Sequence, residues 1–424
     1  MTTTISNVPR ERAGMRRGTD SGSTSPPVNG GVRTPLELRE FDSFEVASAW
    51  RDSWDELAVD SGADLFSTFD WCEAWWNHYG HSRSLCIMAF HDDTQRLVAI
   101  APMFTECSSL GPVKLAAWRV VGCDHSVTTC GWMIRKGYEE DVARRFAERM
   151  SRDPSWDVIQ IGSLPAYAEK SNANLFDALA QCGIGRCELR DTHPHMYHEL
   201  ADSFDEYVGK ISTSNRKKWK RDERKLVEHG EVVVERVGDG PEALTAIREF
   251  IDLHQGQWME KGCLGHFGDW PDAEAFHMEA AHRMAALGRL LLVRVRRAGE
   301  VVASEYAYCF GGRAHLILTT RAPGVPGRVG FMALVREAIA AGARQVDTLR
   351  GFYEHKKELG AILGSQKSIV ITAPKASSRI RLRLFEFGAK CLHLVYYRLW
   401  FSRLAKSLPS RRKPLWTSWI RSRL

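Results

Sequence analysis

Glu305 could take part in catalysis because it lies on an otherwise small, apolar face of a predicted strand. A carboxyl group on such a face has a raised pKa because burial disfavours its charged form, and a general base that works near neutral pH needs that shift. Glu305 could instead pair with a cation such as Arg321, and His315 on the adjoining strand is a second candidate base. Residues 301–310 alternate as a strand, with one face formed by Val301, Ala303, Glu305, Ala307 and Cys309.

A glycine-rich segment follows these strands. Residues 321–330 contain Gly324, Gly327, Gly330 and two prolines, a composition that predicts a loop. A loop that enters a helix leaves backbone N–H groups unpaired at the positive end of the helix dipole, where a phosphate or pyrophosphate can bind. The segment lacks the Lys-Ser/Thr ending of a P-loop and the dinucleotide-binding glycine spacing, so nucleotide triphosphatase and dehydrogenase functions are disfavoured.

Hydrophobic periodicity predicts the elements that position these residues. Branched apolar runs separated by short turns indicate a three-stranded meander, and an apolar stripe at helical spacing indicates a helix after the glycine loop. A polar segment, 351–356, follows the last strand. The predicted elements are strands at 290–296, 301–310 and 314–320, a helix from Phe331 to about Gly342, and a strand at 345–349.

This order of elements resembles the cofactor half of the GNAT superfamily of N-acyltransferases. Arg321-Ala322-Pro323-Gly324 is similar to the start of the family's Arg/Gln-x-x-Gly-x-Gly/Ala motif, although Pro326 occupies the second small-residue position. A second set of residues resembles, more specifically, the CelD-like and Fem-like branch, which has tandem GNAT domains. That set comprises Gly330, Val346-Asp347, Gly351, Tyr353 and Lys356.

The resemblance implies an acyltransferase. Its co-substrate would be acetyl-CoA or another acyl-CoA, no metal is expected, and the acceptor would be an amine-bearing sugar or cell-envelope precursor. Tyr353 has the position of the tyrosine general acid common in GNAT enzymes, whereas Glu305 and His315 are the candidate bases. The expected cofactor-binding residues are Arg321, Gly324, Gly327, Arg328, Val329, Gly330 and Lys356.

Two other functions remain open. The Fem-like side of the resemblance implies an aminoacyltransferase fed by aminoacyl-tRNA, which predicts a long helical-hairpin arm in the second domain. The sequence shows a single basic helix there, with seven cations from Arg216 to Lys225, which is either a solvated face or a phosphate-contacting edge. The third possibility is a non-catalytic, membrane-associated scaffold of polysaccharide synthesis. No Ser-His-Asp elbow, zinc-protease helix or kinase signature is present.

Composition indicates an ordinary globular protein. The 424 residues are 44% hydrophobic and 26% charged, and their number suits two or three domains. Ten scattered cysteines without a Cys-x-x-Cys pair favour reduced thiols over a disulfide or zinc framework. No apolar run has the length of a membrane-spanning helix. We therefore expect a cytoplasmic protein, with peripheral attachment to the inner face of the membrane left open.

Two clusters are predicted to be structural. Trp71, Trp75 and Tyr79 share one face of a helix, a spacing more typical of a core than of a ligand-stacking surface. His195 and its histidine neighbours lie close in sequence, but a metal site needs a further ligand at suitable geometry.

The chain contains an internal repeat. Residues 85–162 follow the same order as residues 290–351, namely hairpin, connection, helix, strand and glycine. We expect a mixed α/β (α+β) fold of two tandem GNAT-like domains, each a mixed, mostly antiparallel sheet flanked by helices. The predicted parts are a disordered segment at 1–34, a first domain without a cofactor loop at 35–192, a second, acyl-CoA-binding domain at 193–374, and a basic amphipathic tail at 375–424.

The tail carries the positive charge of the chain. It holds 13 Lys and Arg against the single acid Glu386, so the net charge of +6 leaves the rest of the chain at −6. Apolar and aromatic residues recur at helical spacing among these cations, which suits an anionic membrane surface. A helix packed on the protein body explains the pattern equally well.

Overall fold

The fold was analysed in a computed structural model, which describes most of the chain. Thr2–Thr4 form a short strand, within the segment for which we predicted disorder. The rest of that segment, and the part of the predicted tail after residue 404, lie outside the described residues. The described ranges are 2–4, 34–125, 128–153, 155–238, 240–261 and 265–404.

Strands and helices alternate along these ranges. The strands are β1 (Thr2–Thr4), β2 (Glu37–Phe41), β3 (Ser84–His91), β4 (Leu97–Leu110), β5 (Val113–Val120), β6 (Met133–Ile134), β7 (Val158–Leu164), β8 (Arg186–Glu199), β9 (Val232–Val237), β10 (Leu290–Arg297), β11 (Glu300–Phe310), β12 (Arg313–Arg321), β13 (Gln345–Arg350) and β14 (Ile362–Thr372). The helices are α1 (Phe44–Ala47), α2 (Arg51–Asp60), α3 (Phe69–Tyr79), α4 (Glu139–Arg152), α5 (Glu169–Gln181), α6 (Phe204–Lys210), α7 (Thr213–Val227), α8 (Glu242–Glu260), α9 (Gly265–Asp269), α10 (Ala273–Ala286), α11 (Gly327–Ala340), α12 (Glu354–Glu358) and α13 (Ala376–Val395). π-helical turns, Tyr396–Leu404, follow α13.

One continuous sheet joins both halves of the molecule. Its strand order is β1-β9-β10-β11-β12-β13-β8-β14-β7-β5-β4-β3-β2, with β6 beside β4. Two strand pairs are parallel, β12 with β13 and β5 with β7, and a helix, α11 or α4, connects each pair. The other pairs are antiparallel. The predicted fold class, a mixed α/β fold with two similar halves, is confirmed.

The halves exchange one strand each at the centre of the sheet. β8 follows the first half in sequence but pairs with β13 of the second half, whereas β14 ends the second half and pairs with β7 of the first. β8 and β14 also pair with each other over eleven residues. The boundary that we predicted between residues 192 and 193 falls inside β8, so neither half has its full sheet without the other.

Aromatic side chains fill the core between the halves. Trp71, Trp75 and Tyr79 on α3 are buried, as the helical spacing predicted. The Trp71 ring lies 5.3 Å from Phe276 on α10 and 5.7 Å from Tyr308 on β11, centre to centre. Because α3 belongs to the first half and α10 to the second, these edge contacts fix the relative position of the halves.

α11 begins four residues earlier than the sequence predicted. We expected residues 321–330 to be a loop throughout, but the helix starts at Gly327, with Pro326 at its N-cap. Proline is accommodated before a helix because its φ is already close to helical, and first-turn glycines lose no hydrogen bond because those N–H groups have no intrahelical acceptor. Gly330 therefore lies within the first turn of α11.

β12 and β13 diverge to leave an opening in the second half. They pair only from Arg313 to His315, opposite residues 345–347. Ile317 is an extra residue in the ladder between β11 and β12, and Leu349 on β13 has a left-handed φ of +56°. The carboxylate of Asp347 accepts the Leu349 N–H at 2.7 Å and holds this bulge. Bulges on both strands turn them apart.

The equivalent opening in the first half is filled by the chain itself. β5 and β7 pair as far as Arg119 and Gln160 and then diverge. The Cys130 N–H donates to the Ser163 carbonyl at 2.9 Å, and β6 extends along β4 beyond the end of β5. In the first half, residues 130–134 therefore lie beside the diverging strands.

A substitution at Gly162 on β7 tests whether the close approach of β14 to β7 stabilises the fold. Its φ is +114°, and a Cβ there would lie 2.8 Å from the Lys367 carbonyl oxygen on β14. We expect Gly162→Ala to lower the free energy of unfolding by about 2 to 4 kcal/mol, from backbone strain plus the clash. Gly183→Ala, at φ +67° and with no atom within 4 Å of its Cβ, is the matched control and should cost about 1 kcal/mol. Urea unfolding measures both, and equal losses would contradict this account of the exchanged strands.

Candidate functional site

The opening between β12 and β13 is the candidate active site because segments leaving both strands meet there. Residues 322–326 leave β12 and lead into α11, and residues 351–353 leave β13 and lead into α12. α11 and α12 contact each other. The predicted functional side chains therefore converge from β11, from the end of β12, from the start of α11 and from α12.

Glu305 is a buried carboxyl group beneath the start of α11. Glu305 is only 2% exposed. One of its carboxylate oxygens, Oε1, accepts a hydrogen bond of 2.9 Å from the Thr319 hydroxyl. The other oxygen has no hydrogen-bond partner among the described residues. Burial raises the pKa of Glu305 to about 8, although Thr319, Lys356 and Arg321 act in the opposite direction.

Gly330 makes room for this carboxyl group. A Cβ at Gly330 would overlap Glu305 Oε1, so the helix backbone lies directly against the carboxylate. Gly330 is one of the residues that resemble the CelD-like and Fem-like branch, and the structure explains why a glycine is needed at this position. Only a residue without a side chain allows α11 to pack this closely on β11.

Lys356 is buried beside Glu305. Only 8% of the residue is exposed, so it is not the surface lysine that the motif alone allowed. Burial lowers the pKa of Lys356 to about 8, against the opposing effects of the Glu305 and Asp347 carboxylates. The ammonium lies 4.5 Å from the centre of the Tyr353 ring. Tyr353 itself is 47% exposed and covers Gly351, so it lies at the mouth of the opening.

Unpaired amides surround the start of α11. The N–H groups of Gly324, Gly327 and Arg328 have no acceptor among the described residues. Of the other two amides in this stretch, Val325 donates to the Ala322 carbonyl at 3.2 Å and Val329 to the Pro326 carbonyl at 3.0 Å. Free amides at the N-terminus of a helix favour an anion.

The Arg321 guanidinium adds positive charge at the same place. A Cβ at Gly327 would lie 2.6 Å from Arg321 Nη1, so the guanidinium covers the first turn of α11. No ion pair to Arg321 is formed by the described residues. Gln257 on α8 fixes the backbone here, because its Oε1 accepts from the Arg321 N–H at 3.3 Å and from the Thr320 hydroxyl at 3.1 Å.

Arg328 has a paired side chain and an unpaired backbone amide. Its guanidinium Nε lies 3.0 Å from Asp222 on α7, and Nη2 lies 3.7 Å from Glu358 on α12. Glu358 also pairs with Lys218 at 2.8 Å, which brings the basic helix α7 to the rim of the opening. We predicted Arg328 as a cofactor-binding residue, and the structure leaves its amide, but not a free guanidinium, for that role.

His355 is a member of the site that the sequence analysis missed. Burial lowers its pKa, and Lys356, Arg321 and Arg328 lower it further because all three cations are close. The histidine was visible in the polar segment after β13, but its proximity to Arg321 and Arg328 depends on the packing of α12 against α11.

His315 lies apart from Glu305. It is fully buried, with its ring 4.9 Å from Phe66, on the opposite face of the sheet from α11. Its Nδ1 is 3.6 Å from Asp347 Oδ2, and neither ring nitrogen has a hydrogen-bond partner among the described residues. The two candidate bases therefore lie on opposite faces of the sheet.

A polar network ties β13 to the first half. The His195 Nε2–H donates to Asp347 at 2.7 Å, while His195 Nδ1 accepts the Ala166 N–H at 3.0 Å, an arrangement that fixes the neutral tautomer. The Tyr167 hydroxyl lies 2.6 Å from Asp64 and 3.1 Å from Asp347. His195 is thus a positioning residue for Asp347, and no group of three or more potential metal ligands occurs in the described ranges.

Comparison with known proteins identifies the region around this opening. The sequence profile of the acetyltransferase (GNAT) domain family matches residues 213–357. These residues form a GNAT domain. The match includes β9 to β13, the loop, α11 and the segment up to Lys356, so it covers Glu305, Arg321, the unpaired amides and Lys356. No curated protein matches the sequence.

Solved structures extend the likeness to both halves. The crystal structure of FemX superposes with a TM-score of 0.57 at 11% identity, covering 78% of this chain and 98% of FemX. L-PGS from Bacillus licheniformis gives a TM-score of 0.46 at 11% identity, over 78% of this chain and 95% of that protein. A tandem GNAT protein from the clavulanic acid pathway gives 0.42 at 11% identity, over 80% and 100%. The FemX superposition shows a shared fold.

The pH dependence of stability tests the burial of Glu305. Its pKa is about 8 in the folded GNAT domain against a reference value of 4.5, so between these values the folded state binds more protons and the free energy of unfolding falls as pH rises. From about pH 5 to about pH 8, we expect the unchanged protein to lose on the order of 2 to 4 kcal/mol relative to Glu305→Gln in urea unfolding. Glu354→Gln, on exposed α12 surface, is the control. Parallel profiles for Glu305→Gln and the unchanged protein would contradict the raised pKa.

Proposed function

We propose that the protein is an N-acyltransferase that moves an acyl group, most simply acetyl, from acyl-CoA to an amine. The observation that carries this proposal is a buried acid and lysine, Glu305 and Lys356, directly beneath unpaired amides at the start of α11. The amides and the Arg321 guanidinium suit the pyrophosphate of a CoA thioester. The pair below them suits proton transfer and stabilisation of negative charge.

Each group has a proposed role in the reaction. The Lys356 ammonium stabilises the negative charge that develops on the thioester oxygen when the amine attacks. Glu305 takes up the proton that the amine loses, either directly or through Lys356, because both groups titrate near neutral pH. The exposed Tyr353 hydroxyl donates a proton to the departing thiolate. His315, on the opposite face, is not the base in this scheme.

The proposed acceptor is an amine-bearing sugar or cell-envelope precursor. This part rests on the family resemblance, and the structure supports it only in that the mouth at Tyr353 is exposed.

Aminoacyl transfer from aminoacyl-tRNA is the second candidate. The FemX superposition favours it, and exposed cations on α7 lie beside the opening. Against it, the chain between β8 and β9, where the basic helix lies, contains only α6 and α7 and forms no long helical-hairpin arm. Basic residues on a single helix suit a nucleotide phosphate as well as RNA.

Ligand binding separates these candidates. A ligand that binds the native state raises the melting temperature, so acetyl-CoA at about 100 times its Kd should add about 2.7 kcal/mol of stability. We expect a thermal shift with acetyl-CoA and with CoA, but none with pantetheine, which lacks the pyrophosphate. A shift with aminoacyl-tRNA and none with any CoA thioester would replace the first proposal with the second.

The catalytic role of Lys356 is tested by comparing its alanine variant with an alanine variant of the neighbouring Lys357. Lys356→Ala should lower kcat for acyl transfer by about 100- to 1000-fold, because a donor aimed at the developing oxyanion is lost. The matched control is Lys357→Ala, since Lys357 is exposed on the same helix and should leave kcat unchanged. Stopped assays with acetyl-CoA and a panel of amino sugars measure both variants. Equal activities for the two variants would remove Lys356 from the reaction.

A further inference from the structure

Helix α13 is bound to the body of the protein along one side. Leu382 and Phe385 are buried against the sheet of the first half. The Ser378 hydroxyl donates to Asp157 at 2.6 Å, and Arg381 lies 3.1 Å from the same carboxylate. These contacts confirm that the helix has a fixed position and a defined outward face.

The outward face of α13 is apolar. Its large side chains recur three, four or seven residues apart, so they form one stripe on the side opposite Leu382 and Phe385. Cys391 is exposed within the same stripe. The stripe, called here the α13 stripe, consists of Ile380 (59% exposed), Leu384 (53%), Phe387 (68%), Leu394 (52%) and Val395 (43%).

Cations line one edge of the α13 stripe. Arg379, Arg383 and Lys390 are exposed, and none of them forms an ion pair with the described residues. The only acid on the helix, Glu386, is paired with Arg190 at 2.5 Å. The edge therefore presents uncompensated positive charge beside exposed hydrocarbon.

The positive charge along this edge disfavours a second copy of α13, or the basic end of the chain, as the partner that covers the α13 stripe. A second copy of α13 on the stripe would bring two rows of cations together, which is unfavourable. Residues 405–424 contain six Lys and Arg and no acid, so that segment also repels the cationic edge. A nucleic acid would satisfy the cations but would leave the aliphatic stripe in water.

We propose that the α13 stripe lies in the surface of a bilayer that contains anionic lipid. Phe387 and its apolar neighbours would enter the boundary between headgroups and acyl chains, while Arg379, Arg383 and Lys390 contact lipid phosphates. The helix lies on the membrane and does not cross it, since no helix in the described ranges is long and apolar enough to span a bilayer. The proposal is independent of the acyltransferase function, because none of these residues lies at the opening between β12 and β13.

Vesicle flotation of the full-length protein tests the proposal. We expect binding to vesicles of phosphatidylcholine mixed with phosphatidylglycerol, weakened by salt, and little binding to phosphatidylcholine alone. Leu384→Ser with Phe387→Ser should lower the partition coefficient at least about tenfold. The control is Val46→Ser with Val59→Ser, which removes two similarly exposed apolar side chains, 59% and 56%, from α1 and α2.

A triple substitution of the cationic edge separates the contribution of charge to vesicle binding from the contribution of apolar contact. Arg379→Gln, Arg383→Gln and Lys390→Gln together should abolish the preference for anionic vesicles. The proposal is overturned if the stripe variant and its control bind equally, or if the unchanged protein does not bind anionic vesicles. Retained acetyl-CoA thermal shifts in all these variants would show that the opening is intact.

The Cys391 thiol reports whether the stripe is free in the absence of lipid. A water-soluble maleimide should label Cys391 quickly in the free protein and slowly after anionic vesicles are added, as measured by peptide mass spectrometry. Protection of Cys391 in the free protein, with a dimer in sedimentation velocity, would mean that a second copy covers the stripe. Protection in a monomer would mean that the chain covers it, and either result would overturn the proposal.

Discussion

The burial of Glu305 beside Lys356 is the constraint on which the candidate site depends. An acid in an apolar interior is costly unless it stays neutral or has a cation nearby, and here both apply, since the two pKa values approach each other near 8. The arrangement persists because Gly330 lets α11 lie against the carboxylate and Thr319 satisfies one of its oxygens. Such pairs of groups with shifted pKa values cluster at functional sites.

The position of that pair is set by the way in which the strands separate. Bulges on β12 and β13 open the sheet, and the Asp347 carboxylate holds one of them. Asp347 is in turn held by His195 on β8, a strand that comes from the end of the first half. The exchanged strands thus make the geometry of one half depend on the other. The first half has the same divergence, and there the Cys130 N–H donates to the Ser163 carbonyl.

Local patterns predicted much of this arrangement, and tertiary contacts decided the rest. Alternation placed Glu305 on an inward strand face because a period of two is a property of the strand alone. β8 was largely missed because it is half-exposed and polar for most of its length, and its exchange with β14 leaves no trace in either sequence segment. Burial of Lys356 was unexpected because lysine is seldom buried. The pairing of Arg328 with Asp222 joins residues far apart in sequence, which periodicity does not detect.

The proposed function requires the unpaired amides at the start of α11 to bind the diphosphate of a carrier molecule. The most direct measurement is a titration of the protein with CoA, followed by the amide chemical shifts of Gly324, Gly327 and Arg328. We expect these three resonances to move together and saturate, while those of Val325 and Val329, whose amides are already bonded, move less. Saturable shifts confined to another surface, or no shifts at all, would contradict this expectation.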